Sequence, residues 1–559
     1  MVNCPDRLND PGNLLQCVER SFCDFLTAYG FLLYYNIDKE KEALLMKGFS
    51  EKIYLSLKMP TEEETLSDRR RILLALEVLG YDHVTMPLHV LQKLYPLCRE
   101  ADFDVTVTLV RREMDWVVTD VEPGDRTGHH YGLAVDYGST MIVMQLVDMN
   151  SGVVIDEAKA VNGQAAFGAD ILSRITWSLE DPAHMEDLQR ATVKTFENLL
   201  AQLTENTGVD AANCPVMIVS GNTAMIHFLL KLNAWTVFAS PYAPVATDPG
   251  FLWGRELGMD FRGLIYMIPA ASNYIGGDIV SGLLKLDIHK KEETSLFFDI
   301  GTNGELVIGN QDWLMAGAGA AGPALEGYIS RFGMRAAEGA VDSVRIQGDE
   351  LVVTTIGNRK PVGICGSGII DLLAQMRLHG WINIAGELEP RASDRIVWLE
   401  EEGEYGVVYA WGAEADAGKP LYFAQTDIMQ YLDTKAAAYT MVECLLESAG
   451  VATEELAHLY LSGAFAVHSD LESAITIGIF PDVPRERYAV LSNTSLEGAR
   501  ILLLDRARLE EAREIAENMY CVQFASIPDF LVRMQVAKFI PHTDMRRYPS
   551  VHRRIGGVL

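Results

Sequence analysis

One duplication constrains this chain more than any other feature. Gly132-Leu-Ala-Val-Asp136-Tyr-Gly138-Ser139-Thr140 recurs as Leu296-Phe-Phe-Asp299-Ile-Gly301-Thr302-Asn303-Gly304. Each copy is an apolar run, then Asp-x-Gly, then small hydroxyl or amide residues. In Walker loops and dinucleotide fingerprints the glycines open a helix. Here each copy is followed by a second apolar strand, Met141 to Val147 and Leu306 to Ile308, so each motif is the turn of a β-hairpin. A single Asp-x-Gly of this kind is an ordinary tight turn. Two of them, one per α/β cycle, point to a shared task. Glycine permits positive φ and lets backbone N–H groups face an anion. Ser139, Thr140 and Thr302 add hydroxyl donors. Asp136 and Asp299 would repel phosphate and would instead hold Mg2+, through its waters, so that the metal bridges to the phosphates. Two such hairpins facing each other make a phosphate clamp.

The rest of the chain falls around these motifs. Helical apolar spacing marks Leu14 to Tyr35 and Glu63 to Leu79. Alternation from Phe103 to Val121 reads as a strand hairpin, and Pro123 to Gly128 as a turn-rich linker. The expected organisation is an accessory domain over 1–100, linker strands over 101–128, a first lobe over 129–290 and a second over 291–559. Within the lobes, helices are expected over Asp170–Trp177, Met185–Leu203, Asp427–Ala449, Leu471–Ile477 and Ser495–Met519, with another starting near Pro323. Strands are expected at Val216–Val219, His458–Leu461 and Tyr520–Phe524. The pattern is α/β, repeated twice.

Composition removes several classes of function. A formal charge of −30 over 559 residues repels polyphosphate backbones, which argues against nucleic acid as a partner. The basic group Arg546, Arg547, Arg553 and Arg554 reads as a solvated tail. The start of the chain lacks the basic and apolar regions of a signal peptide, and no apolar run is long enough to span a membrane, so a cytoplasmic protein is expected. The eight cysteines contain no C-x-x-C pair and fit neither a disulfide framework nor a zinc site.

The two hairpins resemble the phosphate motifs of the actin, sugar-kinase and heat-shock chaperone ATPase superfamily. Leu459-Tyr-Leu-Ser-Gly463-Ala464-Phe465 resembles its adenosine motif. The resemblance narrows further. Asn162 to Asp170, Gly221-Asn222-Thr223-Ala-Met225, Gly276-Gly277-Asp278, Ala320 to Gly327 and Gly363-Ile-Cys365-Gly366-Ser367-Gly368 are similar to blocks of the reductive activators of corrinoid proteins. It covers about residues 100 to 545. It implies duplicated actin-like, ribonuclease H-like lobes, with ATP and Mg2+ in the cleft between them. It implies nucleotide contacts from Gly138, Ser139, Thr140, Gly301, Thr302, Asn303, Gly304, Gly463, Ala464 and Phe465, with Glu326 near the ribose. It also implies ATP-driven return of a corrinoid partner from Co(II) to Co(I). A homodimer is compatible with the resemblance, and nothing in the residues requires one.

The family's electron comes through an iron–sulfur cluster, and here the sequence departs from the pattern. Cys4, Cys17, Cys23 and Cys98 do not form the C-x4-C-x2-C run of a plant-type ferredoxin, and Cys521 stands by itself near the other end. No built-in cluster is expected, so the electron would arrive from a separate donor. Two other functions stay open: a small-molecule kinase on the same fold, and a nucleotide-switched binding protein. Glu305 is read either as the group that orients or deprotonates an attacking water, or as an exposed strand carboxylate. Asp278 is read either as reaching the metal and phosphates or, preferably, as a helix cap. Cys365 reads as a small buried thiol, and His227 and His468 as structural.

Overall fold

A computed structural model describes residues 48–556 apart from 302, 320–326, 328 and 349, and leaves aside the side chain at 464. The helices expected over Leu14–Tyr35 and from Pro323 lie outside the described residues. The chain divides into two compact units, with the change at His130.

In the first unit one sheet runs in the order Ser50–Ser56, Asp104–Arg112, Asp115–Pro123, Val84–Thr85. The strands that sequence alternation set apart as a linker over 101–128 are thus the middle of this sheet. Val105, Val107, Leu109 and Val118 are buried together with Ile72 and Leu76 of the helix Asp68–Val78. That helix starts later than its apolar spacing suggests. Ser67 caps it, accepting from the Arg70 N–H, and Arg71 folds back onto the carbonyls of Lys58, Glu64 and Leu66.

The second unit carries the duplication. Its first lobe contains β1 (Tyr131–Tyr137), β2 (Met141–Asp148), β3 (Val154–Val161), β4 (Val216–Gly221), β5 (Phe251–Trp253) and β6 (Leu264–Met267), in the order 3-2-1-4-6-5. Its second contains β7 (Ser295–Ile300), β8 (Gly304–Gly309), β9 (Leu314–Gly319), β10 (His458–Ser462), β11 (Tyr488–Val490) and β12 (Met519–Val522), in the order 11-10-7-8-9-12. In both lobes an antiparallel three-strand meander is extended by two parallel strands. The register repeats too: Asp136 pairs with Ser220 and Asp299 with Ser462. The second lobe also holds two small sheets over 340–364 and 396–424 that no motif announced.

Two helices cross between the lobes. Gly277–Leu286 follows the first lobe's parallel strands, and Thr494–Leu504 follows the second's. At the crossing a Cβ on Gly498 would stand 1.9 Å from the Ser281 carbonyl oxygen, and one on Gly282 2.9 Å from the Phe297 ring. Only glycine lets the backbones approach this closely. The Ser281 hydroxyl donates to the Ser495 carbonyl at 2.6 Å. The helix expected over Ser495–Met519 is two helices, Thr494–Leu504 and Arg508–Asn518, because the chain turns out of helical geometry at Asp505. That break lets Arg508 reach back to the Leu284 carbonyl and to Asp287.

The four arginines of the basic terminal group are exposed, as a solvated face requires, but the segment that carries them is packed rather than a free tail. Tyr548 and Val551 are buried, Arg547 bonds Tyr439 and Glu443, and Arg554 pairs with Glu472. Buried Lys435 donates to the carbonyls of Ala537, Phe539 and Pro541, which fastens the preceding segment to the long helix Gln425–Ala449. No helix among the described residues is long and apolar enough to cross a membrane.

Gly498→Ala should destabilise the second unit by about 1–3 kcal/mol, because the new methyl has no space beside a backbone carbonyl. Gly128→Ala, where nothing lies within 4 Å, should leave stability within about 0.5 kcal/mol. Urea unfolding of the two variants beside wild type measures the difference.

Candidate functional site

Both Asp-x-Gly motifs are hairpin turns, as their flanking strands require: β1 pairs antiparallel with β2, and β7 with β8. Neither Gly138 nor Gly301 adopts a positive φ, so the conformational freedom invoked from sequence is not what selects them. At Gly138 the reason is steric: a Cβ there would lie 2.5 Å from the Met141 carbonyl oxygen. The second turn closes on itself, with the Gly301 N–H donating to the Asn303 carbonyl at 2.9 Å.

The two aspartates stand in different surroundings. Asp136 accepts from the Asn493 amide at 2.7 Å on one oxygen and from the Ser495 hydroxyl at 2.8 Å on the other. Both donors come from the start of Thr494–Leu504, where Asn493 is the cap and Ser495 the second helical residue. Burial pushes the Asp136 carboxyl up, and these two donors oppose the shift. Asp299 has the Ser462 hydroxyl as its opposing donor; burial first, then the charge of Asp136, raise it to about 7.

Asp278 is not the cap that the sequence favoured. Gly276 is the N-cap, and Asp278 is the second residue of Gly277–Leu286, its carboxylate accepting from the Ile279 N–H at 2.9 Å. It holds the same place in its helix that Ser495 holds in the twin helix. Where Ser495 donates a hydrogen bond to Asp136, Asp278 brings a second negative charge toward Asp299. Burial, then Asp299, raise it to about 7. Glu305 is not an exposed strand carboxylate either: it is 7% exposed and lies across the strand pair from Asp299. Burial, then Asp278 and Asp299, push it well above the usual carboxylate range.

Four carboxylates, Asp136, Asp278, Asp299 and Glu305, therefore lie within electrostatic reach of one another. Burial raises all four, and neighbouring carboxylates add to it at Asp278, Asp299 and Glu305. That is the donor set a hard divalent cation takes, and Asp299 with Asp136 fits Mg2+ held through water. The one trio among the described residues whose ligand atoms lie within 4.8 Å of one another is elsewhere: Asp287, His289 and Glu511. Lys290 and Arg508 already pair with its carboxylates, and it ties the end of Gly277–Leu286 to the helix Arg508–Asn518.

Gly463 backs directly onto the strand end that carries Asp299. Its φ is +93°, and a Cβ would lie 2.2 Å from the Ile300 carbonyl oxygen and 3.0 Å from Asp299. Ala464 opens the helix Ala464–His468. Phe465 is buried in the second lobe's core, which leaves its backbone rather than its ring for a nucleotide. Ser139 and Thr140 are partly exposed at the first turn, and Asn303 and Gly304 complete the second. Thr302 and Glu326 lie outside the described residues. Sequence reasoning missed Asn493 and Ser495. Their only local signal is an Asn-Thr-Ser helix start, which reads as capping and nothing more.

Fold and cleft define the class: this is a protein of the actin-like, sugar-kinase type, built on an ASKHA domain. Residues 293–552 match the C-terminal domain of RACo, described as the ASKHA domain, residues 131–291 match the RACo middle region, and residues 39–128 match the RACo linker region. The linker match thus takes in both the helical stretch and the strands of the first unit. The chain is similar to the solved structure of a reductive activator for a corrinoid, iron–sulfur protein: 34% identical, TM-score 0.81, covering 90% of this chain and 81% of that one. It is 29% identical over 409 residues to the corrinoid activation enzyme RamQ of Eubacterium limosum, 72% of this chain and 69% of that protein. It is 23% identical over 429 residues to the [Co(II) methylated amine-specific corrinoid protein] reductase of Methanosarcina barkeri, 70% of this chain and 73% of that protein. The chain belongs to the RACo family of reductive activators of corrinoid proteins.

The raised carboxyls make a pH prediction. A carboxyl at about 7 in the fold, such as Asp278, and near 4 in the unfolded chain, holds its proton preferentially in the folded state. Its contribution to stability is full below about pH 4 and is lost as pH rises through the folded value. Asp278→Asn should therefore raise the thermal midpoint above wild type at about pH 8 and leave it unchanged at about pH 4. Equal midpoints at the higher pH would mean that burial and Asp299 do not raise the Asp278 carboxyl in the fold.

Proposed function

We propose that this protein binds ATP with Mg2+ between the two lobes and uses it to promote reductive reactivation of a corrinoid partner protein. The observation that carries the reading is the pair of Asp-x-Gly hairpins in identical topology, with the carboxylates of both in mutual electrostatic reach. Backbone N–H groups and hydroxyls of the turns at Gly138–Thr140 and Gly301–Gly304 receive the phosphates. Asp299 and Asp136 would hold Mg2+ through its waters, and the metal would neutralise phosphate charge when bound. Gly463 and the start of Ala464–His468 receive the nucleoside end.

Glu305 and Asp278 are raised by burial and by neighbouring carboxylates; bound Mg2+ would offset that rise, and in the ionised form they are suited to take a proton from a water attacking the terminal phosphate. Hydrolysis converts ATP and water to ADP and phosphate. The nucleotide acts through differential affinity: closing the lobes around ATP favours one arrangement of the outer surface, and the partner is gripped in that arrangement. Cobalt in the partner gains one electron, Co(II) to Co(I). The donor of that electron is a separate redox protein, because the cysteine spacing of this chain offers no ferredoxin run.

Calorimetry with ATP and Mg2+ tests the core of the reading. Wild type should bind ATP, and Asp299→Asn should slow hydrolysis on the order of 100-fold, as expected when a group that stabilises transferring phosphate is removed. Capture of a Co(II) corrinoid protein should be tighter with ATP than with ADP. Absence of ATP binding by wild type would sink the nucleotide reading, and equal capture with either nucleotide would sink the coupling.

A further inference from the structure

Asn162 is the first residue after β3 and is fully buried. Three of its polar atoms are engaged, two of them on the first phosphate turn. Its backbone N–H donates to the Thr140 carbonyl at 2.9 Å. Its side-chain amide donates to the Gly138 carbonyl, also at 2.9 Å. Its side-chain oxygen accepts from the Gln164 N–H at 3.0 Å, capping the short helical turn that follows. The carbonyls on both sides of Ser139 are thus drawn toward Asn162. A trans peptide plane points its N–H opposite to its C=O. The Ser139 N–H is therefore aimed away from Asn162, to the open side of the turn.

Among the described residues, no side chain braces the second hairpin in this way. Val161 pairs with the first residue of β2, and Gly319 pairs with the first residue of β8; in the sequence Asn162 follows the former and Ala320 the latter. Alanine has no side-chain amide to offer, and the second turn carries its own Gly301 to Asn303 bond. The duplication is symmetric in topology and asymmetric in how each turn is held.

We propose that Asn162 is the positioning residue of the phosphate site: it locks the Gly138–Thr140 turn with its N–H outward, ready for the terminal phosphates of the nucleotide. It touches no phosphate itself. This rests on the nucleotide reading above.

The test compares Asn162→Ser and Asn162→Ala with wild type, titrating ATP, ADP and adenosine by calorimetry. Serine keeps an acceptor for the Gln164 N–H and loses the reach to Gly138. Both variants should bind ATP and ADP about 10-fold more weakly, the loss expected when a buried carbonyl is left without its donor. Adenosine has no phosphate to place, so its affinity should stay at the wild-type value. This also serves as the check that the cleft is folded. Unchanged ATP affinity in both variants would overturn the proposal. Loss of adenosine affinity in step with ATP would overturn it as well, by making Asn162 a general structural residue. Failure of wild type to bind ATP is a separate outcome and removes the nucleotide reading itself.

Discussion

The crossing of Gly277–Leu286 over Thr494–Leu504 is the contact on which the site depends. Each helix leaves the parallel edge of its own lobe and starts beside the Asp-x-Gly strand of the other. Asn493 and Ser495 of the second lobe bond Asp136 of the first, and Asp278 of the first lobe faces Asp299 of the second. The crossing point is packed backbone to backbone at Gly498 and Ser281, which leaves no slack for one helix to shift without the other. A rearrangement of one lobe is therefore felt at the carboxylate of its partner.

The electrostatics follow from that exchange. In one half of the pseudo-twofold, a hydroxyl meets a carboxylate; in the other half, a carboxylate does. The first arrangement is satisfied as it stands. The second is short of positive charge, so burial and like charge together keep Asp278, Asp299 and Glu305 protonated to higher pH than free carboxyls. A site that is uncomfortable without a cation, placed beside turns that present backbone N–H groups, favours a metal and an anion together. The same asymmetry recurs in the turns, where Asn162 braces one and the other closes on itself.

Much of this was legible along the chain. The paired motifs, the strands that follow them and the long helix before β10 set the α/β duplication, because hairpin turns and apolar runs are local properties. The matching strand positions of Asp136 and Asp299 were legible for the same reason. Asp278 was read as a cap because Gly-Gly-Asp before an apolar run is a capping pattern, and nothing local says that Asp299 lies across from it. Glu305 stayed ambiguous because alternation in a short strand does not tell which face is covered. Arg547 and Arg554 looked like a solvated tail because their partners, Glu443 and Glu472, are about a hundred residues away in the chain.

The sequence by itself determined the elements that arise from near neighbours: two Asp-x-Gly hairpins, their flanking strands, the adenosine-type strand and turn, and the family to which these blocks point. Only the tertiary structure decided which acids share a field, which aspartate is already hydrogen-bonded, and which glycines are needed for close approach rather than for φ. The physical reason is range. Turn chemistry and periodicity act within a few residues, whereas desolvation and Coulomb interaction depend on groups brought together from positions 136, 278, 299, 305 and 493–495 by a helix crossing that no local pattern records.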